Sequence, residues 1–258
     1  VQLEDGRWCS YIATVSGDPE RIRSTNLLPF DELQLATFAK WIQLAQKVDP
    51  IPHMVVSAPN ILQVDAQMLA TALEGLDDRL RSRREKRFVP VDLAVVKRGK
   101  ERASEAFASV VDGLAEAEEA KKRFDDAVIP VGGFNYNDRV LRLASEVSRF
   151  APGLCGAGPG GEAWASRVKK VRNAQSHQTL RGFTERDQAL YFMVRTTAQW
   201  VLWLKLLLAA GADEDSLTLG LRTSRPFLYA LANIDAEVKG HGVWDVEFSA
   251  LTTFREAT

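Results

Sequence analysis

A single helical pattern running from Glu185 to Ala210 does most to limit what this chain can fold into, because an element of that length demands neighbours that pack along it. Its start is marked by Thr184 followed three residues later by Asp187, a variant of the capping box. Its end is marked by Gly211, at the position where a helix C′ residue turns left-handed. The most apolar part, Trp200 to Ala210, is shorter than a membrane span and carries Lys205, so the expectation is a helix at the centre of a core. Trp200 and Trp203 are expected in that core or at a dimer interface rather than as a platform for stacked bases.

Helical spacing recurs upstream. Leu33, Ala36, Trp41, Leu44 and Val48 form one stripe that stops at the Pro50-Ile51-Pro52 break. Met68, Leu69, Ala72, Leu73, Leu76 and Leu80 form another, within a helix expected from Ile61 to Arg84. Phe107, Val110, Val111, Leu114 and Phe124 suggest one helix from Gly99 to Asp125 with these side chains facing inward. Asn137 or Asp138 is the expected cap of a helix through Phe150. A Gly/Pro stretch from Pro152 to Gly161 then leads to a helix starting near Glu162. Ser224, with Pro226 in the first turn, opens a last helix toward Gly240.

The segments Trp8 to Val15 and Trp244 to Phe248 alternate in polarity and are expected as short β-like tails. The expected architecture is therefore all-α, a bundle of about six to seven helices over residues 29–240. Tails at 1–28 and 241–258 flank it. No repeat of solenoid length and no sustained heptad pattern is present. Because the first residue is Val, a processed chain or a fragment of something longer is expected, the fragment being favoured, and the strand-like Trp8 to Val15 makes residues 1–28 the expected tail of an upstream domain or the contact of an upstream subunit.

With 46% apolar and 26% charged residues, the 258-residue chain can bury a core, and its formal charge of −1 supplies no global field toward nucleic acid or an anionic membrane. Contact with a polyanion must come from a local patch. Cys9 and Cys155 are far apart and lack metal-ligand spacing, so neither a disulfide framework nor a zinc site is expected; no cofactor is implied, and a reducing cytoplasm is the default location. No export signal and no membrane segment is visible.

The chemistry-bearing stretch is Arg172-Asn173-Ala174-Gln175-Ser176-His177. An arginine stays charged at any physiological pH and can offer two parallel hydrogen bonds to phosphate oxygens, while an imidazole accepts and returns a proton near neutrality. Asn173 is suited to bridge to phosphate or to hold the imidazole tautomer. Residues five apart on a helix differ by about 140°, so Arg172 and His177 meet only across a helix end, a kink or a second copy of the chain. The alternative is structural, with His177 hydrogen-bonding near a helix terminus and Arg172 in a surface ion pair.

The form Arg-polar-x₃-His resembles the signature of the HEPN superfamily, and Arg-Asn-x₃-His on an amphipathic basic helix resembles its ApeA-like branch. An Ala-Leu-Glu step on an earlier helix, here Ala72-Leu73-Glu74, and the preceding helix around Trp41 also look like that branch. The resemblance covers roughly residues 29–210 and departs from the pattern in the glycine-rich loop from Ala151 to Gly161. It implies a HEPN-like helical domain and a metal-independent endoribonuclease. It further implies that two motifs meet across a homodimer interface, and it associates the chain with abortive-infection defence against phage. On that resemblance Arg172, Asn173 and His177 are the expected catalytic residues, and Glu74 is a candidate for orienting one of them.

Arg167, Lys169 and Lys170 before the motif, and Arg181 and Arg186 after it, are candidates for a basic rim along an RNA backbone; a solvated helix face is the alternative. The denser run Arg79, Arg81, Arg83, Arg84, Lys86, Arg87 reads as a helix C-terminus complementing its dipole. Gly156-x-Gly158-x-Gly160-Gly161 lacks the Lys-Ser/Thr and the preceding strand of a phosphate loop. His53 and His241 are expected in loops. A second reading of the whole chain is a non-catalytic helical module for dimerisation or RNA binding.

Overall fold

The computed structural model describes residues 27, 35–56, 61–82, 92–128, 134–156, 161–176, 183–238, 241–243 and 248–258. Among these residues the protein is all-α, with eleven helices and no strand. They are α1 (Leu35–Val48), α2 (Ile51–Val56), α3 (Leu62–Leu80), α4 (Leu93–Val111), α5 (Ala117–Val128) and α6 (Tyr136–Ser148), followed by α7 (Glu162–Ser176), α8 (Glu185–Ala209), α9 (Glu214–Thr223), α10 (Arg225–Val238) and α11 (Ala250–Ala257). No described helix is long and apolar enough to cross a membrane.

The long pattern after Thr184 is the axle of the fold. Thr184 accepts from the Asp187 backbone amide while the Asp187 carboxylate accepts from the Thr184 backbone amide, so the capping box is complete and two orphan donors at the start of α8 are satisfied. At the other end Gly211 takes φ +97°, the left-handed geometry that lets the chain leave the helix. Leu190, Met193, Val194, Ala198, Val201, Leu202, Leu204 and Leu206 are all buried. A helix apolar on so many sides must be surrounded, and α3 is its largest neighbour, with α2, α6, α7 and α10 completing the shell.

Cross-helix contacts fix the directions. Trp164 on α7 donates its indole N–H to Thr197 on α8 at 2.7 Å, and both side chains are fully buried. The α10 helix runs antiparallel to α8: Phe227 at its start packs edge-on against Trp200 with ring centroids 5.0 Å apart, while Gly242, just beyond its end, accepts from Arg186 near the start of α8. In contrast α6 lies parallel to α3, for Tyr136, Arg139 and Arg142 meet Ala70, Asp78 and Asp77, and Glu146 meets Arg81. The connection between these parallel neighbours is the hairpin of α4 and α5, whose two helices pack chiefly on each other. Phe107 and Phe124 stack at its centre with centroids 4.3 Å apart.

Several expected elements differ in detail. The single helix expected from Gly99 to Asp125 is the two helices of this hairpin, broken where Gly113 takes φ +83°. Val110 and Leu114, expected to face inward, are exposed; Val111 is the buried member of that group. The cap of α6 is Asn135 rather than Asn137 or Asp138, although Asp138 serves as the reciprocal partner in a full capping box. The α3 helix stops at Leu80, short of Arg84. Beyond Pro50 the chain resumes helix at once as α2, and a further helix, α9, begins at an Asp213 N-cap.

Within the expected C-terminal arm, residues 250–257 form a helix whose Phe254 is buried against Phe227 at 5.0 Å between centroids. The turn before α7 sits directly under it: a Cβ on Gly153 would come 2.6 Å from the Ala250 carbonyl oxygen. The tail segment Trp8 to Val15 and residues 244–247 lie outside the described residues.

Candidate functional site

Helix α7 carries its buried stripe on Trp164, Ala165, Val168 and Val171. Successive residues advance by about 100°, so Arg172 sits on one flank of that stripe and Arg167 on the other, about 140° away. On the Arg172 flank α7 packs against α3 and α6. Arg172 Nη2 donates to Glu74 Oε2 at 3.0 Å, and the guanidinium carbon lies 4.6 Å from the centroid of the Tyr136 ring. Tyr136 in turn donates its hydroxyl to the Ala70 carbonyl at 2.8 Å, which fixes the ring under the cation. Glu74 is shared, with Arg139 Nη1 at 3.8 Å from its other oxygen. The Arg172 side chain is 36% exposed, so the held cation is still reachable from solvent.

Burial pushes the Tyr136 phenol well above its ordinary value; the charge of Arg172 opposes this and that of Glu74 adds to it. The hydroxyl is therefore a fixed donor at any physiological pH. Tyr136 and Arg139 were not anticipated as members of this cluster. Their partners come from α3, more than sixty residues earlier, and no local pattern encodes that contact.

On the opposite flank Arg167 is half-buried, and its guanidinium is held below its ordinary value by burial and by the nearby charge of Arg186 on α8. Lys170 on the same flank is exposed and acts on Asp187. The Asp187 carboxylate is held below the ordinary range chiefly by the Thr184 hydroxyl and backbone amide, then, against some desolvation, by the charges of Lys170 and Arg186. Lys169 is exposed and Asn173 half-buried. Of the expected basic rim, Arg167, Lys170 and Arg186 lie toward the start of α8, on the side of α7 away from Arg172, which faces α3 and α6. His177 and Arg181 lie outside the described residues.

The Glu74 cluster continues into a ladder of charged side chains between α3, α6 and α8. Arg139 meets Asp78 at 3.4 Å, Arg142 Nε donates to the buried Asp77 at 3.1 Å, and Arg81 bridges Asp77 and Glu146. Glu146 also accepts from Lys205 of α8. Burial raises the Glu146 pKa, but the hydrogen bonds and charges of Lys205 and Arg81 outweigh it and hold the carboxyl below its ordinary range. Chemically, the arrangement fixes one partly exposed guanidinium on a rigid wall, which suits binding an oxyanion in a set direction.

Among the described residues no group of three or more His, Cys, Asp or Glu side chains is placed to hold a metal ion. Cys155 is buried, and that burial pushes its thiol far above the ordinary value. Comparison with known proteins finds no matching family model, no matching curated protein and no matching solved structure.

Proposed function

We propose that this chain is a HEPN-type endoribonuclease acting in anti-phage abortive-infection defence, in which Arg172 binds the scissile phosphate and His177 moves the proton. The observation that carries the reading is the fixing of Arg172 by Glu74 and Tyr136 while part of its side chain stays open to solvent. A cation that must meet a phosphorane-like charge gains from being oriented beforehand, since no reorganisation is then needed during reaction.

In the proposed reaction the RNA 2′-oxygen attacks the adjacent phosphorus and the P–O5′ bond breaks. One proton leaves the 2′-hydroxyl and one reaches the departing 5′-oxygen, giving a 2′,3′-cyclic phosphate and a 5′-hydroxyl. Arg172 neutralises the non-bridging oxygens, Asn173 contacts phosphate or steadies the imidazole, and His177 serves as acid or base. Arg167, Lys169, Lys170 and Arg181 guide the RNA backbone by charge. Two copies of the chain bring their motifs to one cleft, consistent with the isologous interfaces usual in homodimers.

A non-catalytic module is the second reading, and the Arg172–Glu74 ion pair taken by itself favours it. Incubation of the purified protein with total RNA in EDTA separates the two. The nuclease reading expects cleavage with cyclic-phosphate ends, reduced by roughly 100-fold or more in Arg172→Ala and His177→Ala. Cleavage that requires added magnesium, or a His177→Ala variant as fast as the parent protein, removes the mechanism. A monomer at micromolar concentration removes the composite site.

A further inference from the structure

The chain is nearly neutral as a whole, yet one stretch of it is strongly basic. Residues 83–102 hold eight Lys or Arg against three Asp or Glu, in a chain that has 33 and 34. The dipole of α3 accounts only for the cations before this stretch. That helix stops at Leu80; Arg79 in its last turn donates to the Gly75 carbonyl, and Arg81 is held by Asp77 and Glu146. Arg83, Arg84, Lys86 and Arg87, outside the described residues, come after the end of the helix in sequence. Lys97, Arg98, Lys100 and Arg102 then stand within the first ten residues of α4.

The two helices of the hairpin differ in how their charge is arranged. On α5 four acids flank three cations, and Glu119 meets Arg123 and Asp125 meets Lys121 one turn away, as on a solvated surface that neutralises itself. The start of α4 is mostly of one sign. Its first turn holds no acid beyond the N-cap Asp92, and Glu101, 3.7 Å from Lys97, is the one carboxylate among residues 93–102. Arg98 and Arg102, four positions apart, share a face and are both exposed. Cations gathered toward the positive pole of a helix repel one another and gain nothing from its dipole, so an anion that meets several of them stabilises the arrangement.

An anionic membrane would call for an apolar stripe beside the cations. Phe107 of α4 is stacked on α5 and Val111 is buried, while the exposed Val110 lies twelve residues beyond Arg98, about 18 Å along the helix. We propose that the start of α4 is a docking surface for a nucleic-acid strand, held through its phosphates by Lys97, Arg98, Lys100 and Arg102 without regard to base or sugar. The four cations are spread over about 8 Å of helix, which suits a chain of phosphates better than a single one. Release of the strand's condensed counterions drives the contact, so affinity falls steeply with salt. The surface is separate from Arg172 on α7 and does not rest on the nuclease reading.

The probe is a fluorescein-labelled oligodeoxythymidylate of about 20 nucleotides, followed by anisotropy as the full chain is added. It carries the phosphates and lacks the 2′-hydroxyl, so binding is read without the proposed cleavage. A Kd of about 10 μM or tighter is expected at about 50 mM salt, weakening about 50-fold by about 200 mM if four phosphates are contacted. A 2′-O-methyl ribo-oligonucleotide of equal length is expected to bind within about threefold of it. Arg98→Ala combined with Arg102→Ala is expected to weaken binding about tenfold and roughly halve the salt dependence. Arg222→Ala combined with Arg225→Ala, the same loss of charge on α9 and α10, is expected to change neither. All four positions are exposed, so both variants fold. The proposal is overturned by absence of saturable binding at the lower salt, by binding insensitive to salt, or by equal losses in the two double variants. An Arg98→Ala, Arg102→Ala variant that binds like the parent, or tighter binding to phosphatidylserine vesicles than to the strand, overturns it as well.

Discussion

Tyr136 shows how much one side chain contributes to the geometry around Arg172. Its ring lies under the guanidinium at 4.6 Å and its hydroxyl ties it to Ala70, so it locates the cation in two ways that a pair of substitutions separates. Tyr136→Phe keeps the ring and removes one hydrogen bond from a buried position, at an expected cost of about 1 kcal/mol in urea unfolding. Tyr136→Leu removes the aromatic face as well, adding about 0.5–2 kcal/mol for the lost cation–π contact and repacking. If Arg172 binds the scissile phosphate, RNA cleavage survives in the Phe variant and falls about tenfold or more in the Leu variant. Equal cleavage by the two variants dissociates Tyr136 from the chemistry and leaves it a packing residue. Of this cluster, Arg172 and Glu74 were legible in the sequence because each belongs to a short motif. Tyr136 and Arg139 were not, for a tertiary neighbour on a distant helix leaves no periodic trace.

Among the helices, local end chemistry revealed both ends of α8 and the start of α10. Thr184 with Asp187 and Gly211 bounded α8, and Ser224 opened α10, because caps act on residues three or four positions away. The break at Gly113 was missed because the apolar residues on both sides kept a plausible helical spacing, although two of them face solvent. Short α9 and α11, which both pack against α10, were missed although Asp213 and Ser249 cap their starts, because helices of ten and eight residues carry too few apolar positions to show a long periodic stripe.

The interhelical ladder gives this scale a prediction. The Glu146 carboxyl is held below its ordinary range in the folded state, so the stability it contributes is present above the unfolded carboxylate pKa and is lost as pH falls through the lower folded value. Glu146→Gln, which leaves Lys205 and Arg81 without this carboxylate, is expected to lower stability by about 1–3 kcal/mol at pH 7, the partial exposure of the group reducing the cost of a fully buried pair. Urea unfolding of both proteins should show that difference shrinking from pH 5 downward. A difference that persists unchanged to pH 2.5 means that shape rather than charge is responsible.

For the whole molecule, the distribution of packing sets a gradient of stability. The centre of α8 is enclosed by five helices, whereas α4 and α5 rest chiefly on each other and α5 has no buried residue. Amide hydrogen exchange is expected to protect residues 193–206 to the level of global unfolding, and to release residues 93–128 orders of magnitude faster through local opening. Matching protection in the two regions would mean that the hairpin unfolds only with the core. The all-α class was readable from periodicity alone, since every long apolar stripe repeats at helical spacing. The order of the layers was not, because it rests on contacts such as Trp164 to Thr197 that pair distant segments.

The parallel alignment of α3 and α6 also has a kinetic consequence. Antiparallel neighbours such as α8 and α10 close through short connections, but Ala70 and Tyr136 are 66 residues apart, and Glu74 and Arg172 are 98 apart. Loop-closure entropy must be overcome before those contacts repay it. The α7–α8 and α8–α10 pairs are therefore expected to dock early, and α3 to join them late, so the wall that fixes Arg172 is among the last parts of the molecule to exist.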